Sequence, residues 1–206
     1  MPKQKTIKTT VEAVRELEKA NSNKFIVIHD QVLQPWVCDE IMSGFDKMPV
    51  VEVKEVNEND FMPTDPSKVN ENHRFERNGR IHGTVLPNTP FFEDIFDLIG
   101  FGLPKGYEFA TVNYVQIIKY TEDSHFPWHK DVTDPNDTGT ALVFLNDDFM
   151  GGNLTVAGHK FCNKQGTIVA FNKSQEVWHS VEPLLQGVRY VLAIWFGKPS
   201  DEDEDK

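Results

Sequence analysis

Cysteine is scarce in this chain. Cys38 and Cys162 are the two present in 206 residues, and they stand far apart with no CxxC pair. That argues against a disulfide framework, and both thiols read as small core residues in a reducing compartment. Long hydrophobic runs are also missing. No stretch of about 18 apolar residues occurs, so no segment is built to span a membrane. The opening "MPKQKTIKTTVEAVRELEKA" lacks the apolar centre of a secretory signal. Positive charge is in short supply: 21 Lys and Arg face 32 Asp and Glu, giving −11. No Lys/Arg block appears, which argues against phosphate-backbone binding as the main activity. Together these absences predict a soluble cytoplasmic protein with no membrane and no nucleic-acid partner. They leave the oligomeric state open.

What is present suffices for one large domain. Apolar residues make up 39%, with 15 Phe and 4 Trp, enough for a core. Residues 9 to 20 place Val11, Val14 and Leu17 at helical spacing, and 24 to 30 read as a short strand. Residues 34 to 45 predict a helix opened by Pro35 and packed through Trp36, Ile41 and Phe45. From Glu52 to Arg80 apolar residues thin out, predicting a long loop, either a lid or a mobile surface segment. A second helix is predicted at 89 to 99, capped by Thr89 with Pro90 in its first turn. From Tyr107 onward short alternating runs follow one another between Gly, Asn and Asp, a pattern of strands. The expected division is therefore 1–106 for helices, strands and loop, 107–198 for a β-barrel core, and 199–206 for a solvated acidic tail. All would form one compact unit.

Chemistry-bearing residues concentrate in the β region. In "RYVLAIWF", Arg189, Val191, Ala193 and Trp195 share one face, and Tyr190, Leu192, Ile194 and Phe196 the other. A guanidinium among apolar neighbours must be paired, and an external carboxylate matches its fork. The alternative is a strand-end arginine reaching solvent. His129 and Asp131 are two residues apart, so in extended chain both point the same way. A histidine 48 residues after the aspartate, His179, sits inside a predicted strand. Two imidazoles and a carboxylate make the facial triad of non-haem Fe(II) oxygenases. The other histidines (His29, His73, His82, His125 and His159) lack such spacing and are assigned to the surface or to local hydrogen bonds.

The HxD pair, the later histidine and an arginine 10 residues beyond it resemble the 2-oxoglutarate- and Fe(II)-dependent dioxygenases, in their prolyl 4-hydroxylase-like branch. The likeness covers about residues 107 to 198 and extends weakly to residue 24 through "FIVIHDQVLQPWVCDEIMSGF". It implies a mainly β fold with N-terminal α-helices, a double-stranded β-helix of the jelly-roll type. It implies that His129, Asp131 and His179 hold iron and that Arg189 binds the distal carboxylate of 2-oxoglutarate. Tyr120, the tyrosine before the HxD, would be a second cosubstrate contact. Gln116, Phe144 and Trp195 would line the pocket.

The cofactors implied are Fe(II), 2-oxoglutarate and dioxygen, with ascorbate as a candidate reductant. The reaction implied is hydroxylation of a C–H bond with release of succinate and CO2, the substrate being a prolyl residue of a peptide or protein. A free amino acid or other small metabolite is the alternative. A silent metal-binding jelly-roll module is the rival from another class. Two departures stand out. Oxygen-sensing relatives often carry a tyrosine at the Phe144 position, and nucleic-acid demethylases place a second arginine where Trp195 stands. The latter argues against a nucleobase substrate, and retention of Asp131 argues for hydroxylation over halogenation.

Overall fold

The computed structural model describes residues 26–31, 33–52, 72–86, 89–99, 111–131, 137–172 and 177–197. The helix expected at 9–20, the boundary at 106/107, the acidic tail and residues 53–71 of the expected loop lie outside them.

A four-residue strand, β1 (Ile26–His29), precedes helix α1 (Pro35–Asp46). Pro35 opens α1 because its missing N–H costs nothing in a first turn. The helix buries Val37, Cys38, Ile41 and Phe45, whereas Trp36 is exposed. The expectation that Trp36 packs inward is therefore wrong. Five residues before Ile41 lies about 140° around a helix of 3.6 residues per turn. Helix α2 (Pro90–Ile99) follows two strands and begins as predicted, the Phe92 amide donating to the Thr89 hydroxyl at 3.3 Å.

Those two strands correct the loop expectation. Residues 73 to 85 form a hairpin of β2 (His73–Arg77) and β3 (Arg80–Val85). Asn78 and Gly79 turn it with φ of 54° and 71°, the left-handed pair that a two-residue hairpin turn requires. His73 and His82 are consequently buried in the sheet, not on the surface. Cys162 differs from expectation as well: it is exposed, and only Cys38 is a core thiol.

Ten further strands follow: β4 (Thr111–Tyr120), β5 (Phe126–His129), β6 (Asp137–Phe144), β7 (Met150–Gly151), β8 (Leu154–Val156), β9 (His159–Phe161), β10 (Ile168–Asn172), β11 (His179–Val181), β12 (Leu184–Gln186) and β13 (Arg189–Gly197). A major sheet runs β1-β10-β6-β13-β4-β3-β2, and a minor sheet runs β5-β11-β8-β9; β12 and β7 pair separately. Among the described residues every ladder is antiparallel.

Strand alternation sorts the major sheet into two faces. The outer face sets Ile117, Val143, Leu192, Ile194 and Phe196 beneath α1 and α2 in one apolar cluster. Gly83 makes this possible on β3, because a Cβ there would come within 2.6 Å of the Phe45 ring. The inner face joins Tyr120, Phe144, Val191 and Ala193 to Leu154, Val156 and Val181 of the minor sheet in a second cluster. This is the mainly β architecture of the double-stranded β-helix, with helices on one sheet; among the described residues hydrogen bonding does not close the sheets into a barrel. Among the described residues no helix is long and apolar enough to cross a membrane.

Candidate active site

The site lies where the minor sheet faces the inner surface of the major one. His129 ends β5 and is the direct cross-strand partner of His179 on β11. Asp131 follows two residues later, and ligand atoms of all three lie within 4.8 Å of one another. The Nε2 atoms of His129 and His179 stand 3.6 and 3.5 Å from the same oxygen, Asp131 Oδ1.

Several contacts aim these groups. His129 Nδ1 lies 2.8 Å from the Pro127 carbonyl. A carbonyl can only accept, so Nδ1 carries a hydrogen and Nε2 is the ring nitrogen turned towards the cluster. The Phe126 ring stacks on His129 with centroids 4.0 Å apart, and Phe171 sits 4.9 Å from His179. Thr140 donates its hydroxyl to Asp131 Oδ2 at 2.7 Å, fixing one oxygen and leaving the other facing the imidazoles. Burial works to raise the Asp131 carboxyl. Its contacts with His129 and His179 and the Thr140 hydroxyl outweigh burial and hold it well below the usual carboxylate range. The result is an ionised carboxylate and two imidazole nitrogens converging, a donor set suited to a divalent transition metal with open positions.

Beside this cluster Arg189 opens β13, 1% exposed. It is not the solvent-reaching arginine left open by the sequence. Its Nε, Nη1 and Nη2 are all buried without a hydrogen-bond partner. Leaving a buried guanidinium unpaired is costly, so the position fits a carboxylate supplied from outside. Its guanidinium lies 4.7 Å from the Tyr120 ring and 5.6 Å from that of Phe144. Tyr120 is the direct partner of Arg189 across β4 and β13. Burial raises its phenol above the ordinary range, so it stays protonated and able to donate. Gly152, at φ +61°, lies under Arg189; a Cβ would sit 3.1 Å from Arg189 Cδ.

The other pocket residues named from sequence divide. Phe144 is buried on the same inner face, opposite Val191. Trp195 shares that face and packs against Tyr114 at 5.2 Å. Gln116 is engaged elsewhere: its amide nitrogen donates to Tyr114 Oη at 3.1 Å, and its oxygen meets His82 Nδ1 at 3.0 Å. Sequence reasoning missed Thr140, whose role depends on a neighbour nine positions away, and Arg80, taken as the end of a loop. The Asn78-Gly79 turn signal could have revealed the strand that carries Arg80.

Residues 115–197 match the model of the 2OG-Fe(II) oxygenase superfamily. No curated protein's sequence matches the chain significantly. Solved structures do. A viral collagen prolyl hydroxylase from Paramecium Bursaria Chlorella virus-1 superposes with a TM-score of 0.61 at 14% identity, over 86% of this chain and 98% of that one. A prolyl-4-hydroxylase from Pseudomonas putida gives 0.56 at 16% identity, over 92% and 100%. A Trichoplax adhaerens prolyl hydroxylase, in complex with a hypoxia inducible factor oxygen degradation domain peptide, gives 0.59 at 13% identity, over 99% and 96%. At these identities the structures speak for the fold. The family match covers about two fifths of the chain, the stretch that carries His129, Asp131, His179 and Arg189. That family uses Fe(II), 2-oxoglutarate and dioxygen.

Proposed function

We propose that the chain is a 2-oxoglutarate- and Fe(II)-dependent dioxygenase that hydroxylates a prolyl residue of a peptide or protein. His129, Asp131 and His179 would hold the metal, and Arg189 with Tyr120 would hold the distal carboxylate of 2-oxoglutarate. The observation that carries this reading is Arg189: three buried, unpartnered guanidinium nitrogens on the inner face that the family match covers. A structural arginine would have found a partner within the fold. A silent metal-binding module would have no need of it.

When bound, the metal and cosubstrate supply an oxidation that converts 2-oxoglutarate to succinate and CO2 and places one oxygen atom of dioxygen in a C–H bond. The chain's own part is positional. Thr140 and the Pro127 carbonyl fix the orientations of Asp131 and His129, so the ligands need little rearrangement on binding. Phe126 and Phe171 wall two sides of the cluster and hold the two imidazole rings in place. Arg189's fork sets the direction in which a dicarboxylate enters. A peptide substrate is supported by the prolyl hydroxylase neighbours, one of them in complex with a peptide.

The test is metal and cosubstrate affinity followed by product analysis. Fe(II) should bind with one equivalent per chain, and His179→Ala should abolish that binding while the chain stays folded. Proline-containing peptides should gain one oxygen atom in mass with matched succinate release. Tight metal binding by His179→Ala would overturn the ligand assignment.

A further inference from the structure

A second arginine lies on the inner face, and neither the metal cluster nor the Arg189 pocket uses it. Tyr120 pairs with Arg189 on one side and with Arg80 of β3 on the other. Direct cross-strand partners point to the same face, so Arg80, Tyr120 and Arg189 form one row across three strands. Arg80 is 4% exposed. Its Nη1 donates to the His125 carbonyl at 2.7 Å, and its guanidinium lies 3.8 Å from the centre of the Phe126 ring. Phe126 in turn stacks on His129, so the guanidinium is one aromatic ring removed from a metal-cluster imidazole.

Nothing among the described residues neutralises this charge. No carboxylate pairs with Arg80, and its buried Nε has no partner. Beside it opens a cavity of about 490 Å³ lined by Arg77, Asn78, Arg80, His82, His125, Phe126 and Pro127. Two of those residues are arginines and none is acidic, in a chain whose net charge is −11. A volume of this order suits an amino-acid-sized group or a small part of a peptide. A buried arginine facing such a cavity is suited to bidentate capture of a carboxylate.

We infer that the Arg80 cavity, one aromatic ring away from the metal cluster, holds a carboxylate of the substrate, so that the site selects a substrate bearing a carboxylate close to the reacting carbon. The inference rests on the proposed dioxygenase reading and adds the charge class of the substrate. The carboxylate could come from a free amino acid or from an acidic side chain of a peptide. Arg80 and Arg189 would then divide the work, one for each anion, with Tyr120 between them as the spacer.

The test reads binding, not turnover. The full chain is loaded with metal and saturating 2-oxoglutarate, so that Arg189 is occupied, and equilibrated with paired probes. These are L-proline against L-prolinamide, and proline-containing peptides with an Asp beside the proline against the same peptides with Asn. Each carboxylate probe that binds should do so at least tenfold more tightly than its amide. Arg80→Gln should remove that preference, and Arg80→Lys should restore part of it.

Arg77→Glu, at a half-buried cavity position, serves if Arg80→Gln does not fold; it should weaken carboxylate binding several-fold. Preference for proline over prolinamide points to a free amino acid, and preference confined to the Asp peptides points to an acidic peptide. Equal binding of acids and amides overturns the inference, as does binding of no carboxylate probe, or an acid preference that survives Arg80→Gln and Arg77→Glu. Failure of 2-oxoglutarate itself to bind the wild-type chain would instead sink the dioxygenase reading.

Discussion

The two faces of the major sheet come from the same strands by alternation of their side chains, yet they hold opposite kinds of residue. The outer face sets Ile117, Val143, Leu192 and Ile194 against Val37, Ile41 and Phe45 of α1. The inner face interrupts its apolar surface with Arg80, His82, Gln116, Tyr120 and Arg189, all buried. Burying apolar area stabilises at roughly 25 cal/mol per Å², whereas burying a charge without a partner costs free energy. The outer face therefore holds the fold together while the inner face works against it, and that asymmetry is expected where binding groups must wait for their ligand.

Substitutions on the outer face should damage stability and spare binding. Phe45 is fully buried, packs edge-on to Tyr190 at 5.8 Å and presses on Gly83. Phe45→Ala should cost about 3–5 kcal/mol, which for a chain of this size lowers the melting temperature by roughly 10 °C. The affinities for Fe(II) and 2-oxoglutarate, measured well below that temperature, should stay within twofold. A loss of cosubstrate affinity matching the loss of stability would show that the two faces are not separable.

Acid should find the inner face first. Burial lowers the His82 imidazole to about 4, against the opposing hydrogen bond that its Nδ1 donates to Gln116. An unfolded histidine titrates near 6.5. Above that pH neither state is protonated and His82 imposes no penalty. Between about 6.5 and 4 the unfolded chain takes up a proton that the folded chain refuses, so stability falls as pH falls. Once the folded imidazole also titrates the loss levels off, at about 3 kcal/mol. Denaturant unfolding across this window, compared with His82→Leu, isolates the effect; equal slopes in both proteins would assign the loss to other groups.

Replacing Arg189 should give the opposite result to replacing Phe45. Arg189→Met removes an unpaired buried charge and keeps much of its volume. Stability of the ligand-free chain should rise by about 1–3 kcal/mol, while 2-oxoglutarate binding is lost. Calorimetry of both proteins, with and without cosubstrate, reads both changes at once. If Arg189→Met unfolds more easily than wild type, the arginine is a structural member of the core.

The contrast between faces also explains which parts of the fold were legible in the sequence. Outer-face periodicity revealed α1, α2 and the core strands, because apolar side chains repeat every two or 3.6 positions whatever they face. The cluster of His129, Asp131 and His179 was legible because its residue types are rare together. The β2–β3 hairpin was not. Arg80, His82 and Thr84 point inward, and polar residues in that register imitate a solvated loop. Thr140's hydrogen bond to Asp131 joins β6 to the end of β5, a proximity set by sheet packing and invisible to any local period.

The smallest effect tests how finely the inner face is tuned. Phe144 is 1% exposed, and its ring centre lies 5.6 Å from the Arg189 guanidinium. Phe144→Tyr introduces a hydroxyl into that space. Without cosubstrate the hydroxyl is buried beside a guanidinium that cannot accept a hydrogen bond, so its proton lacks a partner and stability should fall by about 1 kcal/mol. With 2-oxoglutarate bound, the distal carboxylate supplies the acceptor, and a hydrogen bond to a charged group offsets that cost. Cosubstrate affinity should therefore rise two- to tenfold, equivalent to roughly 0.4–1.4 kcal/mol. Thermal shifts should show the deficit of the ligand-free variant closing as 2-oxoglutarate is added. A deficit that persists at saturating cosubstrate would mean that the carboxylate lies out of reach of residue 144, and that Tyr120 and Arg189 hold it without help from β6.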